Sequence, residues 1–517
     1  MPQTLLAIDD LSLPLRKNVC LYLTMPTVRP EPVLAPSPFE SNAPDNLAAF
    51  FYGTVLHDGG KFRMWYAAVH WGQNPDWPPR KMQQVAKPPS WLKDDAKVHS
   101  GPLCYAESDD GILWTKPALG QVLFKGSRDN NALDLPHTLV CGAAVIRDEA
   151  DPDPARRYKM VYEFWPDQSE PPITEYGSLP TIACAVSPDG LQWTVTAIPF
   201  VDQFVEHCSF IRHGGRYIVH SQVFLGESWS AAYFDGGKGG RAGVAHASGD
   251  FDHWPDFWEP SFALPEPRDR SLRGTGKPYD QVHLGVGAAS FGNVCVGVYG
   301  LWHDQPVFGD ISGDLGLVVS NDGIRFREPA PGHVFIHRDE SPVTPAAGQS
   351  FPTILCQGNG ILTVGDETRI YHGRWRNAAD GHCRHYWGEV ALATLPRDRW
   401  GAFGLNPDAD EGMVCTAPIT LPARGCVVRA NADGVAGLTV GLLDEQFRAI
   451  PGFTDGRVIG SDGLACPVRW EGRSLADLGD RPVRVLVKLR RAAQSVVLGQ
   501  SAACEPRLYA LYVDDAP

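Results

Sequence analysis

A short motif, Ser-x-Asp-Gly-x-x-aromatic, constrains the fold of this chain more than any other feature of its sequence. It reads SDDGILW at residues 108–114, SPDGLQW at 187–193 and SNDGIRF at 320–326, and looser copies occur at 247–254 and 393–400. Asp-Gly suits a tight turn, because glycine tolerates a positive φ and the aspartate can hydrogen-bond within its own turn. The aromatic residue then anchors the returning strand. Each copy therefore predicts a turn that ends one antiparallel strand and begins the next.

The spacing of the motif indicates how these turns are arranged. Its copies begin 61 to 79 residues apart, and each is preceded by a turn and an alternating strand, as in DGGKFRMWYAA at 58–68. Repeats of this length with about four strands each are typical of β-propeller blades. We therefore predict an all-β fold in which residues 1–403 form a five-bladed β-propeller, the catalytic domain.

The last part of the chain has a different pattern. After Trp400 the motif stops, and alternating strands such as CVVRANA at 426–432 and RPVRVLVKLRRA at 481–492 follow without it. A period of two over about 100 residues is typical of an antiparallel sandwich. We predict a jelly-roll-like β-sandwich over residues 413–517, joined by a linker at 404–412. This accessory domain would brace the propeller or form a homo-oligomer.

Composition narrows the class of ligand and the location of the protein. The formal net charge is −14, which argues against nucleic acid and an anionic membrane as partners, because clustered Lys and Arg bind both. No stretch is apolar for the roughly 18 residues of a membrane span, and the first residues lack the apolar run of a signal peptide. The twelve cysteines form no Cys-x-x-Cys pair. We therefore expect free thiols and a reducing, cytoplasmic location.

Acidic residues open the strands that we expect to line the centre of the propeller. These first strands are predicted at about 46–57, 132–146, 205–212, 282–291 and 350–356. Paired carboxylates in an aromatic-lined pocket suit glycosidic bond cleavage, in which one attacks or activates water and the other protonates the leaving oxygen. The acids at the openings of the first three strands include Asp45, Asp134 and Glu206. The candidate substrate-binding residues are Glu40, Asn46, His207, Asp280, His283, Trp65 and Trp302.

The repeats, and the acids on the first three inner strands, resemble the five-bladed propeller glycosidases that include invertases, levansucrases and arabinanases. The phrases YAESDDGILWTKP and FKGSRDNN are similar to those of an uncharacterised bacterial branch of that superfamily. The resemblance implies that Asp45, in Pro-Asp-Asn, is the nucleophile or base and that Asp134 stabilises the oxocarbenium-like state. It implies that Glu206, in Glu-His-Cys, is the general acid/base, and that the carbohydrate substrate is a furanoside such as a fructoside or an arabinoside. Glu40 remains an alternative to Asp45 as the first acid.

Other functions remain open from the sequence. Histidines, several of them on predicted inner or second strands, suit a metal-dependent sugar lyase or isomerase, because neutral imidazole is a common ligand of divalent cations; they include His207, His220, His283, His303, His372 and His385. The Ser-x-Asp-Gly-x-x-Trp turn also resembles the Asp-box of sialidases. A non-catalytic carbohydrate-binding propeller would carry the same repeats. The glycosidase hypothesis itself needs no cofactor and no metal.

Overall fold

The computed structural model describes most of the chain, and the described part consists of β-strands with a few short helices. The described residues are 2–77, 97–137, 139–165, 173–174, 177–178, 180–200, 205–224, 241–264, 280–303, 305, 310–344, 351–376, 385–422, 425–491 and 505–515. The 3-10 helices in these ranges are Pro154–Arg156, Val435–Gly437 and Leu475–Leu478. None of the helices in the described ranges has the length and apolar character that a membrane crossing would need. The predicted all-β class is confirmed.

The described strands, numbered in chain order, are β1 (Gln3–Leu6), β2 (Leu15–Lys17), β3 (Val19–Leu23), β4 (Thr27–Val28), β5 (Ala48–Asp58), β6 (Lys61–Trp71), β7 (Val98–Ser108), β8 (Val140–Arg147), β9 (Tyr158–Phe164), β10 (Ile173–Thr174), β11 (Gly177–Ser178), β12 (Thr181–Ser187), β13 (Thr194–Ala197), β14 (Glu206–His213), β15 (Arg216–Phe224), β16 (Arg241–Ser248), β17 (Glu259–Phe262), β18 (Asp280–Ser290), β19 (Cys295–His303), β20 (Ser312–Ser320), β21 (Val334–Ile336), β22 (Ile354–Cys356), β23 (Ile361–Val364), β24 (Glu367–Arg376), β25 (Trp387–Pro396), β26 (Gly401–Leu405), β27 (Glu411–Cys415), β28 (Ile419–Thr420), β29 (Cys426–Asp433), β30 (Leu438–Leu443), β31 (Gly456–Val458), β32 (Gly463–Arg469), β33 (Pro482–Arg490) and β34 (Arg507–Asp515).

The middle of the chain forms successive antiparallel groups of strands. β8, β9, β12 and β13 form one four-stranded sheet, and β14 to β17 form a second. Three further groups, β5 to β7, β18 to β21, and β22 to β25 with β4, are united in a 12-stranded sheet. Single parallel pairings, Gly313 with Ile354 and Gly388 with Ala48, join these three groups to one another.

The leading strands of four groups and β23, the second strand of the β22 to β25 group, contact one another in a closed cycle. β5 contacts β8, β8 contacts β14, β14 contacts β18, β18 contacts β23, and β23 contacts β5. β5, β14 and β18 begin within two residues of the positions predicted from the sequence. β8 begins eight residues later than predicted, because the preceding residues pair with β7 instead: Ala132 forms a bridge with Cys104, and Leu133 N donates to the Leu103 carbonyl at 2.9 Å.

The Ser-x-Asp-Gly turns have the predicted structure. In the first copy, Ser108 Oγ accepts a hydrogen bond from the Gly111 N–H at 2.8 Å, and Asp110 Oδ1 accepts from the next two N–H groups at 2.7 and 2.8 Å. Gly111 has φ +76°, and the closing tryptophan indole donates to its carbonyl at 3.1 Å. The copies at 187–193 and 320–326 repeat the serine and aspartate bonds. Each turn follows the third strand of its group, as the motif predicts.

Strands from both ends of the chain combine in a second 12-stranded arrangement. β1 pairs with β34, β2 pairs with β27, and β3 pairs with β26. Buried aliphatic residues of β29 and β34, such as Val428 and Val513, share one core with Val440 of β30 and Val487 of β33. Residues 3–23, which the sequence analysis assigned to the first domain, therefore pair with the C-terminal strands.

Candidate active site

Two glutamates from neighbouring groups of strands interact electrostatically where β9 and the leading strand β14 meet. Glu206 is the first residue of β14, and Glu163 is the sixth residue of β9. β14 contacts both β8 and β9, and the charge of Glu206 acts on Glu163. Glu163 pairs with Gly142 of β8, where a Cβ would lie 2.9 Å from the Tyr52 carbonyl oxygen and 3.6 Å from Cε1 of His207. The glycine therefore lets three leading strands approach closely around the carboxyl groups.

The two carboxyl groups have different electrostatic surroundings. Burial raises the pKa of Glu163 well above its usual value, and the charge of Glu206 raises it further, against a hydrogen bond from the His207 backbone N–H. Burial also raises the pKa of Glu206, but the positive charge of Arg241 and a hydrogen bond from Gln222 lower it. The two groups are therefore coupled, and the surroundings of Glu206, unlike burial, favour its ionised form through Arg241 and Gln222.

A glutamine on the adjacent strand orients Glu206. Gln222 Nε2 donates a short hydrogen bond to Glu206 Oε2, and Gln222 Oε1 accepts one from the backbone N–H of Leu284 at 2.9 Å. Leu284 is buried and has φ +59°, a left-handed conformation that residues other than glycine seldom adopt. It lies where the register of β18 shifts, between His283 and Val286. This irregularity turns a backbone donor toward the glutamine that holds Glu206.

Two buried imidazoles flank the glutamate pair. His207 and His283 are 1% and 6% exposed, and the Nδ1 atom of each has no hydrogen-bond partner among the described residues. His207 Nδ1 lies 4.0 Å from Glu163 Oε2. Burial lowers the pKa of His207 to about 3. Burial, together with the charge of Arg241, lowers the pKa of His283 well below its usual value. Both rings are therefore neutral at physiological pH, as suits groups that exchange hydrogen bonds with a neutral ligand.

Aromatic rings lie beside the charged groups of the site. The Trp302 ring lies under the Arg241 guanidinium, 5.0 Å from its central carbon, and its centroid is 4.2 Å from that of His283. The centroid of the Trp375 ring lies 6.4 Å from that of Trp302. Burial raises the pKa of Tyr52 well above its usual value, and the charge of Glu206 adds to this. An apolar side facing a few polar groups is typical of small-molecule sites.

Asp45 and Asn46, both predicted to act in the site, have structural partners. Asp45 is fully buried, and its Oδ2 accepts hydrogen bonds from Lys116 Nζ at 2.5 Å and from the Tyr66 hydroxyl at 2.9 Å. Asn46 Nδ2 donates to two carbonyl groups of the preceding loop at 3.0 and 2.9 Å, and its Oδ1 accepts from the Trp71 N–H at 2.8 Å. None of these partners is shared with Glu206. The closed surroundings of Asp45 favour a structural ion pair over a nucleophile.

Glu40, Asp134 and Trp65 also differ from the site that was expected. Glu40 and Asp134 are exposed, and the backbone N–H of Asp134 donates to Gln121 Oε1 at 2.9 Å. Trp65 is fully buried, and its Nε1 donates to the Gly190 carbonyl at 3.0 Å. The sugar-stacking role predicted for Trp65 is therefore wrong, because neither face of its ring is open to a ligand.

Asp280 belongs to a second charged cluster beside the site. Asp280 Oδ1 and Asp314 Oδ2 lie 2.9 and 2.8 Å from the two ring nitrogens of His303. Hydrogen bonds to these carboxylates, that of Asp280 first, raise the pKa of His303 to about 9. Arg338 also donates to Asp314 at 3.0 Å. Asp280 is therefore paired with the protonated imidazole of His303, the residue that follows Trp302 in the chain.

The residues that sequence reasoning missed are Glu163, Gln222, Arg241 and Tyr52. Every residue of β9 is buried, although its sequence, YKMVYEF, contains a lysine and a glutamate. A carboxylate in an otherwise apolar strand is a usable signal, because buried acids are retained when they are paired or functional. That signal identifies Glu163 as unusual, but its partner comes from another group of strands.

The histidine-based metal site finds little support in the described residues. There, no group of three or more His, Cys, Asp or Glu side chains is placed to hold a metal ion. The ring nitrogens of His220 pair with Ser209 Oγ and the Gly323 carbonyl, both at 2.8 Å. Those of His372 pair with Ser341 Oγ at 2.7 Å and a backbone carbonyl at 3.3 Å. Both imidazoles therefore serve the packing of the protein.

Comparisons with known proteins identify distant relatives. No family model matches the chain. It is 26% identical over 181 residues to the uncharacterized proteins MT1551 and Rv1502 of Mycobacterium tuberculosis, from strains CDC 1551 / Oshkosh and ATCC 25618 / H37Rv. The match covers 33% of this chain and 45% of each relative. The chain therefore spans less than half the length of the curated relatives it matches.

Solved structures with a related arrangement include several carbohydrate-active enzymes. A glycosyl hydrolase from Bacteroides ovatus is 13% identical, covers 73% of this chain and 95% of its own, and has a TM-score of 0.40. Zg3597, a family 117 glycoside hydrolase produced by Zobellia galactanivorans, is 12% identical, covers 72% of this chain and 92% of its own, and has a TM-score of 0.37. An N-acetylgalactosamine deacetylase from F. plautii, in complex with blood group B trisaccharide, is 12% identical, covers 74% of this chain and 96% of its own, and has a TM-score of 0.41. At these identities and TM-scores, the neighbours do not establish what this chain does.

Proposed function

We propose that this protein is a glycoside hydrolase or transglycosidase in which Glu163 and Glu206 are the paired catalytic carboxyl groups. The observation that carries the proposal is their coupling: both are raised in pKa by burial, and Arg241 and Gln222 lower the pKa of Glu206. Two carboxyl groups whose environments separate their protonation states are suited to acid and base roles in the same reaction. Glu206 takes the nucleophile or base role that the sequence analysis gave to Asp45, and Glu163 takes the acid role that it gave to Glu206.

In the proposed mechanism, Glu163 protonates the leaving oxygen as the glycosidic bond breaks. Glu206, ionised beside Arg241, attacks the anomeric carbon or activates the water that does so. Gln222 keeps the Glu206 carboxylate oriented through the hydrogen bond to Oε2. Tyr52 offers an apolar face for the sugar ring, while His207 and His283 offer neutral ring nitrogens. Trp302 is 3% exposed and packs between Arg241 and His283, so it supports the site from behind. The anomeric configuration of the product reports whether Glu206 is nucleophile or base.

The proposal includes the architecture and the substrate class. We propose that the five groups of strands are the blades of a five-bladed propeller, supported by the closed cycle of contacts among β5, β8, β14, β18 and β23, one strand from each group. We propose that the C-terminal strands and residues 3–23 form the β-sandwich, supported by the core that β29 and β34 share with β30 and β33. A fructoside or arabinoside substrate follows from the resemblance to propeller glycosidases alone.

The test is sugar release from a panel of fructosides, arabinosides and pyranosides, with and without EDTA. We expect release that survives EDTA and falls by about 10²- to 10⁴-fold in Glu163→Gln and in Glu206→Gln, the range that general acid–base groups contribute. Glu149→Gln is the matched control, because Glu149 is an exposed carboxylate that pairs with Arg147. Its activity is expected to stay unchanged.

The same panel distinguishes the other functions. Release that EDTA abolishes, or products with a new double bond, would replace the proposal with a metal-dependent lyase or isomerase. Sugar binding without turnover, unaffected by either glutamine substitution, would favour a carbohydrate-binding propeller. Full activity in Glu163→Gln would contradict the role of Glu163 even if Glu206→Gln were inactive.

A further inference from the structure

His207 approaches Glu163 with two different groups. Its backbone N–H donates a hydrogen bond to the Glu163 carboxyl, and its ring Nδ1 lies 4.0 Å from Glu163 Oε2. The side chain is 1% exposed, and Nδ1 has no hydrogen-bond partner among the described residues. Buried polar atoms without a partner are rare, because they lose hydrogen bonds to water without replacement. The position of Nδ1 therefore points to a partner that it gains during the reaction.

Glu163 Oε2 is the atom that can become this partner. Because the ring is neutral, it carries one proton, and the tautomer with that proton on Nδ1 presents a donor toward Glu163. A hydrogen bond requires the two atoms to approach by about 1 Å. Hydrogen bonds of catalytic groups are commonly long in the free enzyme and tighten when substrate is bound.

We infer that His207 is a positioning residue for the general acid, whose Nδ1–H holds one oxygen of the Glu163 carboxyl while the other delivers the proton. This inference rests on the proposed function of the Glu163–Glu206 pair. When the glycosidic C–O bond breaks, the proton moves from Glu163 to the leaving oxygen and Glu163 becomes a carboxylate. The backbone and ring N–H groups of His207 then both donate to that new negative charge. His207 stays neutral throughout, so no further proton is required.

The hydrogen bond from His207 Nδ1–H makes Glu163 a stronger acid during the reaction. A donor that bonds the ionised form of a carboxyl group lowers its pKa, which works against the effects of burial and of Glu206. From the described strands, the other titratable or charged groups that interact with the pair do so through Glu206: Arg241 lowers the pKa of Glu206, and the charge of Glu206 raises the pKa of Tyr52 and of Cys208. Removing the imidazole therefore changes the acid while leaving these contacts of Glu206 in place.

The first test uses His207→Phe and glycosides with different leaving groups. We expect kcat/KM to fall about 10- to 100-fold for an alkyl glycoside, part of what general acid catalysis contributes, and less than about 3-fold for the dinitrophenyl glycoside, whose leaving group needs no proton. The high-pH limb of the profile moves to higher pH, because Glu163 keeps its proton longer. His207→Asn, which retains an N–H donor near the position of Nδ1, restores part of the loss. His207→Leu is a second variant in case the phenylalanine does not fit.

An infrared titration tests the contact without relying on activity. A protonated carboxyl band that disappears in Glu163→Gln identifies the group, and we expect it to persist to higher pH, by about one unit, in His207→Phe. His246→Phe is the matched control, since His246 is 2% exposed and also has an unpartnered Nδ1, but packs on Phe200 at 4.4 Å. It is expected to leave the band unchanged.

The possible outcomes separate the inference about His207 from the proposed function of the glutamate pair. A Glu163 band that titrates at the same pH with and without the His207 imidazole overturns the inference, as does an equal loss for both leaving groups. A band that is absent from the unaltered protein overturns it as well. A shifted band in a protein that releases no sugar from any glycoside refutes the proposed function and leaves the contact between His207 and Glu163 established.

Discussion

Lys116→Met is the substitution that best separates the structural and catalytic interpretations of Asp45. Lys116 Nζ lies 2.5 Å from Asp45 Oδ2, and the Asp45 side chain is fully buried whereas that of Lys116 is 21% exposed. The Tyr66 hydroxyl donates to the same oxygen at 2.9 Å. Asp45 Oδ1 is buried without a partner among the described residues. Methionine keeps most of the lysine's apolar volume but removes the cation, so the carboxylate loses its ion pair.

The loss of stability follows from these contacts. Removing one partner of a buried ion pair costs about 3–5 kcal/mol, because the remaining charge is buried without compensation. Tyr66 keeps one hydrogen bond to Asp45, and Lys116 is partly exposed, so we expect the low end, about 3 kcal/mol. Adding Asp45→Asn to Lys116→Met removes the charge itself and is expected to recover a large part of the loss.

The assay is urea unfolding followed by tryptophan fluorescence and circular dichroism. Lys61→Met is the control, because Lys61 forms a similar ion pair with Glu107 at an exposed site, and its effect is expected to lie within the scatter of the measurement. A loss below about 1 kcal/mol in Lys116→Met would refute the reasoning, since that is the range of exposed pairs. An Asp45→Asn variant that keeps its stability but releases no sugar would restore the nucleophile role that the sequence predicts for Asp45.

Three further substitutions test other parts of the structure. Gln222→Met removes a hydrogen bond that lowers the pKa of Glu206, so the low-pH limb of the kcat/KM profile is expected to move to higher pH; an unmoved limb would contradict this role. His303 has a pKa raised to about 9, so its stabilising contribution is complete below about pH 6.5, the unfolded value, and is lost as pH rises through about 9. His303→Gln is expected to remove that pH dependence from the urea midpoint. Gly316→Ala would place a Cβ 2.1 Å from a tyrosine ring and is expected to cost about 1–3 kcal/mol by overpacking. Gly249→Ala, which has no atom within 4 Å, is its thermal-unfolding control.

The local parts of this fold are readable from the sequence. The turn at 108–114 depends on hydrogen bonds between residues two or three positions apart, so serine, aspartate and glycine at fixed offsets are sufficient to predict it. The leading strands follow from the order of these turns, and β14 was placed within one residue. Both predictions rest on interactions that lie within a single group of strands.

The candidate site depends on contacts between groups, which the sequence does not contain. Glu163 lies 43 residues before Glu206, and the two interact only because β9 and β14 belong to adjacent groups. Gln222 lies opposite Glu206 because of the register in which β14 and β15 pair. Asp45 precedes the first leading strand, as predicted, but the side chain turns to Lys116 of the segment that follows β7. Strand position was predictable, and side-chain direction was not.

The pairing of β1 with β34 has a consequence for how the chain is made. Residues 3–6 emerge from the ribosome before their partners, residues 510–513, which emerge about 500 residues later. At roughly 5–20 residues per second, β1 would wait for about half a minute to two minutes with an unpaired edge, a state in which strands are prone to associate with other chains. The groups between them can complete their own antiparallel pairings during that interval. Closure of the terminal sheet is therefore expected to be the last folding step, and the one most dependent on chaperones.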